Sequence, residues 1–307
     1  MTKILIIRFS SIGDIVLTTP VIRNLKQQMP SAQIHYCTKV AFKDILENNP
    51  YLDKIFFLEK DLTSLLRQLK EEKYDYIIDL HHNLRTTIIK WRLGTKSISF
   101  NKLNFRKWLY VNFKINSLPE VHIVDRYMDT LKKLNIKNDQ KGLDYFIPSQ
   151  DQIGPSHLLE AYRQGYIAFA IGAQHYTKRL PPDRIIELCE KIDQPIILLG
   201  GKEDEEVGKY VEGYFLRKNK SFSVYNACGK FHLNESASVI SHARAVYSHD
   251  TGLMHIAAAF KKPVFTIWGN TVPAFGMYPY LTEYKSLEKK GLSCRPCSKI
   301  GHAQCPK

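Results

Sequence analysis

Short continuous apolar runs alternate with segments of helical period along the first half of the chain. KILIIRF, AQIHYCT, KIFFL and YDYIIDL read as strands, while IVLTTPVIRNLKQQM, the FKDILENN region and TSLLRQLKEEK repeat apolar residues at helical spacing. Strands apolar on both faces and joined by crossover helices predict a parallel α/β sheet. The pattern loosens over residues 97–118, which are basic and aromatic. Residues 122–136 predict an amphipathic helix with Ile123, Tyr127, Leu131 and Leu134 on one side. A polar, Gly- and Pro-containing stretch at 137–158 is the linker candidate. The alternation then restarts with YIAFAIG, DRIIELCEKI, PIILLGG, EEVGKYVEGYFL, SFSVYNAC, NESASVISHA, AVYSHD, TGLMHIAAAF and PVFTIWG. Two Rossmann-like domains are therefore expected, 1–150 and 151–307, facing each other across a cleft.

The chain has 307 residues, enough for two domains, and no repeat or low-complexity segment. Its net charge of +14 favours anionic partners without choosing among nucleic acid, lipid head groups and phosphorylated substrates. Nucleic acid is disfavoured because no recognised module occurs and the cations are dispersed. No leader-like segment and no run of 18 apolar residues is seen, so a cytoplasmic protein able to sit on a membrane surface is expected. Cys37, Cys189 and Cys228 stand in apolar contexts and read as buried small hydrophobes.

In open α/β sheets ligands bind beyond the carboxyl ends of strands, and four such junctions carry unusual chemistry. In FSSIGDIVLTTP, Ser10, Ser11 and Gly13 allow a tight turn, and Asp14 falls in the first helical turn, as a helix cap or as a catalyst. In IGAQHYTKRLPPDR, the loop carries His175, Lys178 and Arg179, cations suited to a diphosphate or simply solvated. In LLGGKEDEE, Gly200 and Gly201 permit close backbone approach, and the acids Glu203 to Glu206 either accept ribose hydroxyls or form a solvated helix start. In YSHDTGLMHIAAAF, Thr251 and Gly252 open a helix whose free N–H groups can hold an anion, with His255 one turn on and Asp250 better suited to sugar hydroxyls. The glycine fingerprint of nicotinamide enzymes and the P-loop are both missing.

Taken in order, SSIGDIVLTTPVIRNLK, DLHHNLRT, GAQHYTKRLP, LLGGKEDEE and SHDTGLMHIAAAFKKPVFTIWG resemble the ADP-heptose:lipopolysaccharide heptosyltransferases, the family 9 glycosyltransferases. The resemblance implies a glycosyltransferase-B fold, an acceptor on the N-terminal side and an ADP-heptose donor held mainly by the C-terminal domain. It makes Asp14 the general base. Lys178 and Arg179, with Thr251, Gly252 and His255, fall to the donor diphosphate, Asp250 to the donor sugar, and Glu205 and Phe231 to the nucleoside. Ser10, Ser11, Gly13, Asn83 and Arg85 fall to the acceptor, although DLHHNLRT departs from the usual D-L-Q-G-N-L-R-S and alters what His81 and His82 contribute.

The reaction expected is inverting heptose transfer to the lipopolysaccharide inner core. Because no D-x-D pair occurs, it is expected without metal or other cofactor, cations and a helix dipole stabilising the leaving ADP. A related glycosyltransferase with another nucleotide-sugar donor, or a non-catalytic nucleotide-sugar-binding relative, are the alternatives. FNKLNFRKWLYVNFK, residues 100–114, interleaves Arg106 and Lys107 with Phe105, Trp108 and Phe113, either as an acceptor or membrane-surface element or as a helix packed on the domain. Peripheral contact with the inner membrane and a monomer are expected. Cys294, Cys297 and Cys305, with His302, have spacing compatible with a zinc site or with reduced thiols.

Overall fold

A computed structural model describes residues 1–154, 160–219 and 223–305. The end of the expected linker, 155–158, lies outside the described residues. By its contacts the chain divides into two units, Met1–Leu103 with Val121–Phe146, and Asn104–Glu120 with Ile147–Lys307.

The first unit carries β1 (Lys3–Ile7), α1 (Ile12–Val16), α2 (Thr19–Gln28), β2 (Gln33–Lys39), β3 (Lys54–Leu58), α3 (Leu62–Glu71), β4 (Tyr76–Asp79), α4 (Leu84–Leu93) and β5 (Lys96–Ser99). The strands form one sheet in the order β3-β2-β1-β4-β5, every pair parallel. Ile4, Leu5, Ile6 and Ile7 of β1 are fully buried, which is why the central strand reads as an unbroken apolar run. The β5 edge, KSIS, is half-exposed and escapes the pattern. Where the FKDILENN region predicts a helix, Val40–Ile45 forms a 3₁₀ turn.

Helix α5 (Asn104–Phe113) belongs to the second unit, not to the domain in which the sequence order places it. Tyr110 meets the Phe275 ring edge-on at 6.0 Å, and the Lys114 ammonium donates to the carbonyls of Cys294 (3.3 Å) and Pro296 (2.7 Å). The expected 122–136 helix is α6 (Ile123–Met128) followed by a 3₁₀ stretch, with Ile123, Tyr127 and Leu131 buried as predicted and Leu134 only half-buried.

The second unit continues with α7 (Glu160–Arg163), β6 (Ile167–Ala170), α8 (Pro182–Glu190), β7 (Ile196–Leu199), α9 (Glu205–Arg217), β8 (Val224–Asn226), α10 (Leu233–His242), β9 (Ala245–His249), α11 (Gly252–Ala259), β10 (Val264–Trp268) and β11 (Tyr284–Glu288). Its parallel sheet has the order β11-β10-β9-β6-β7-β8. Each sheet therefore reverses its winding once, between β1 and β4 in the first and between β6 and β9 in the second. Such switch points open a crevice at the carboxyl ends of the strands, because the flanking crossovers leave in opposite directions.

Candidate active site

The first switch point is built around an ion pair. Arg8, the residue after β1, is 8% exposed, and its guanidinium contacts the Asp14 carboxylate at 2.5 Å. It also donates to the carbonyls of Ser10 (2.7 Å) and Leu80 (2.6 Å) and to the Tyr127 hydroxyl (3.0 Å). The second oxygen of Asp14 accepts from the Ser11 N–H (3.2 Å) and hydroxyl (2.8 Å). Asp14 thus caps α1, as one of the two sequence readings holds, and is at the same time fixed by a buried cation. Burial alone would raise its pKa, but Arg8 and the Ser11 hydrogen bonds outweigh burial and hold it below the usual carboxylate range. Gly13 is buried in the first turn of α1, and Ser11 is exposed beside it.

Across the switch, Asp79 ends β4 fully buried, paired with Lys90 at 2.8 Å and accepting the N–H groups of His81 and His82. His81 packs edge-on against Phe9 at 5.4 Å, and its buried Nδ1 finds no hydrogen-bond partner among the described residues. Burial first, then the charge of Arg8, lowers its pKa to about 4, so it is neutral at pH 7. Asn83 uses its side chain to cap α4, accepting the Thr86 N–H at 3.0 Å, and Arg85 is exposed on the first turn of that helix. Neither residue is gathered into the Arg8–Asp14 cluster. Arg106 and Lys107 sit on α5 in the second unit, where Arg106 donates to the Ser117 carbonyl and Lys107 lies over the Phe275 ring.

At the second switch point Lys178 and Asp250 come together. Lys178 Nζ meets Asp250 Oδ2 at 2.7 Å and the Asp250 carbonyl at 3.1 Å, and Thr271 Oγ1 donates to the same carboxylate oxygen at 2.8 Å. An ammonium has three N–H donors, so one remains available. Gly269 lets this arrangement close, since a Cβ there would strike the Thr177 carbonyl and lie 3.2 Å from Lys178 Cα. Thr251 occupies the N-cap position of α11 without a side-chain capping bond, Gly252 is the first residue of the helix, and His255 is buried one turn further along.

Arg179 is drawn away from Lys178, donating to the Ala173 carbonyl (2.7 Å) and facing Asp204 at 3.3 Å. Asp204 is nearly fully buried against Gly172 and Gly200, where a side chain would collide with it. Burial raises its pKa, against the opposing charge of Arg179. His249, fully buried at the end of β9, accepts the Leu180 N–H through Nε2 at 2.9 Å, and burial lowers its pKa to about 4. Of the nucleoside candidates, Glu205 opens α9 in an ion pair with Lys209 (2.9 Å), and Phe231 packs half-buried against the core of this unit.

Among the described residues no three His, Cys, Asp or Glu side chains are grouped to hold a metal ion. His302 instead turns its ring toward the Cys297 carbonyl (3.3 Å) and its backbone toward Thr177. The three scattered cysteines are buried as expected, and burial pushes the thiols of Cys189 and Cys228 up to about 12.

Residues 62–306 match the family model described as glycosyltransferase family 9 (heptosyltransferase). The chain belongs to this family. It is accordingly a glycosyltransferase. The matched span contains Lys178, Asp250, Thr251 and His255, whereas Asp14 precedes it. Among curated proteins, lipopolysaccharide heptosyltransferase 1 of Campylobacter coli is 27% identical over 293 residues, covering 88% of this chain and 84% of that one. Lipooligosaccharide heptosyltransferase 2 of Haemophilus influenzae is 24% identical over 313 residues, covering 89% and 85%. Among solved structures, a glycosyl transferase family 9 protein from Veillonella parvula aligns with a TM-score of 0.75 at 23% identity, covering 94% of this chain and 86% of that one. E. coli ADP-heptose lps heptosyltransferase II aligns with a TM-score of 0.70 at 20% identity, covering 98% and 93%. These likenesses establish the fold as two Rossmann-like domains of the glycosyltransferase-B type.

Proposed function

We propose that the protein transfers heptose from ADP-heptose to the inner core of lipopolysaccharide, with inversion and without a metal ion. The observation that carries this reading is the Asp14 carboxylate, paired with the buried Arg8 at the switch point of the first sheet and held below the usual carboxylate range, in a chain of this family. An acceptor hydroxyl attacks the anomeric carbon opposite the departing ADP, the sugar–phosphate bond breaks, and the hydroxyl proton passes to Asp14. A carboxylate of low pKa is a weak base toward a resting alcohol. It becomes competent once the attacking oxygen bonds to an oxocarbenium-like carbon and turns acidic, so proton transfer is late. Ser10, Ser11 and Gly13 shape the turn beside it for the acceptor, to which Asn83 and Arg85 add contacts.

On the donor side, the free N–H of Lys178 and the N-terminus of α11 at Thr251 and Gly252 offset the charge of the leaving diphosphate, with Arg179 and His255 nearby. Asp250 Oδ2 is occupied by Lys178 and Thr271, which leaves its Oδ1 to accept a sugar hydroxyl. Glu205 and Phe231 flank the nucleoside. These cations take the role that a divalent ion plays elsewhere, which is the basis for metal independence.

The enzyme acts as a monomer at the cytoplasmic face of the inner membrane. Phe105 (70% exposed), Trp108 and Phe113 (59% exposed) form one exposed aromatic cluster on α5, with ring centroids 6.2 and 5.3 Å apart. Arg106 beside them and a net charge of +14 suit an anionic head-group layer. Among the described residues no helix is long and apolar enough to cross a membrane. The test is turnover with ADP-heptose and a purified inner-core acceptor, with the anomeric configuration of the product read by NMR. Inverted product formed at an undiminished rate in EDTA is expected. Retained configuration or loss of turnover in EDTA overturns the respective part of the proposal.

A further inference from the structure

Segment 289–302 has no part in the chemistry above, yet it grips both loops that present the donor-side residues. Arg295 is central to this grip. Its side chain is 7% exposed, it pairs with Glu288 at the end of β11 (2.8 Å), and it donates twice to the Thr271 carbonyl (3.1 and 2.8 Å) and once to that of Lys289 (3.2 Å). Thr271 in turn donates its hydroxyl to Asp250, and Asp250 holds Lys178. A second grip lies next to Lys178, where the His302 N–H donates to Thr177 Oγ1 (2.9 Å) and the His302 carbonyl accepts the Thr177 N–H (3.3 Å). A side chain at Gly301 would collide with His175, so the segment lies flat on this loop. The far side is fixed by Lys114, which donates to the carbonyls of Cys294 and Pro296.

A buried guanidinium with an acidic partner and three hydrogen bonds to two carbonyls is an expensive way to anchor a loop, because both ions lose their water. Its consequence is orientational. Arg295 holds the backbone of Thr271 through its carbonyl, and from there the Thr271 hydroxyl donates to Asp250 Oδ2, the same oxygen that pairs with Lys178. We infer that Arg295 is a positioning residue for donor binding, acting through Thr271 on the carboxylate of Asp250. This rests on the reading that Lys178 and Asp250 contact the donor.

The tests are Thr271→Val, which keeps the side-chain shape and removes the hydroxyl, Thr271→Ser, which restores it, and Arg295→Met. A hydrogen bond to a charged group contributes about 1.5–3 kcal/mol, so Thr271→Val should weaken ADP binding by calorimetry, and raise the donor KM, at least about tenfold. Arg295→Met should move both in the same direction. Acceptor KM should stay constant, and Thr271→Ser should recover most of the loss. Lys178→Ala and Asp250→Ala, measured alongside, separate the two possible failures. If neither weakens ADP binding or raises the donor KM, the donor reading fails. If they do while folded Thr271→Val retains wild-type ADP affinity and donor KM, the role assigned to Arg295 and Thr271 is overturned.

Discussion

Replacing Arg8 with glutamine tests how the first switch point is built. The guanidinium makes an ion pair with Asp14 and hydrogen bonds to the Ser10 and Leu80 carbonyls and the Tyr127 hydroxyl, all in a region where Arg8 is 8% exposed. Removing one partner of a buried pair costs about 3–5 kcal/mol. Asp14 is 19% exposed and keeps its Ser11 hydrogen bonds, so the lower end applies. For a unit of this size, a loss of about 3 kcal/mol lowers the melting temperature by roughly 10 °C. The pH dependence has a definite sign. Arg8 depresses the Asp14 pKa, so its stabilisation is complete above the unfolded carboxylate value and is lost as pH falls through the folded one. The stability gap between wild type and Arg8→Gln should therefore be full at neutral pH and narrow below about pH 4. In the same variant the acid limb of kcat/KM should move to higher pH, because burial then dominates the Asp14 ionisation, while Arg8→Lys should move it less. Calorimetric melting and ADP-release rates between pH 4 and 8 measure both effects. A folded Arg8→Gln enzyme whose acid limb stays at the wild-type pH refutes the claim that Arg8 keeps the base ionised.

Three other outcomes are expected. Gly269→Ala places a methyl group against the backbone of Thr177 and Lys178; it should cost about 1–3 kcal/mol in denaturant unfolding and raise the donor KM, and a wild-type KM would contradict the tight packing described. His249 is held neutral with a pKa of about 4, so its folded form resists a proton that the unfolded chain takes up below about pH 6.5, and stability should fall by on the order of 3 kcal/mol between pH 6.5 and 4. His249→Asn should flatten that slope in urea titrations, and an unchanged slope would count against it. Phe105→Ser combined with Trp108→Ser should reduce sedimentation with vesicles containing anionic lipid while leaving turnover of a soluble acceptor fragment intact, and equal sedimentation would remove α5 from the membrane contact.

The fully buried strands were legible in the sequence because a parallel sheet covered on both faces demands unbroken apolar runs, as in β1 and β7. The edge strands β5 and β11 were not, because KSIS and YKSLE are half-exposed and carry no such run. In sequence Lys178 and Asp250 stand apart at two different strand ends, and the structure joins them in one pair. Arg8 carries a sequence signal of its own, a cation directly after four buried aliphatic residues, where burial requires a buried partner. Asp204 is indistinguishable in sequence from its acidic neighbours, because only the folded turn points it back toward Arg179. The role of Arg295 had no sequence signal at all, since its partners Thr271 and Glu288 become neighbours only once β10 and β11 pair.

Release of ADP from ADP-heptose, followed with and without inner-core acceptor in wild type and in Asp14→Asn, tests the central claim most directly. Release that requires acceptor and falls by about 10²–10⁴-fold in Asp14→Asn, with ADP binding retained, is the predicted result. Release without acceptor, or undiminished turnover in a folded Asp14→Asn enzyme, would contradict it.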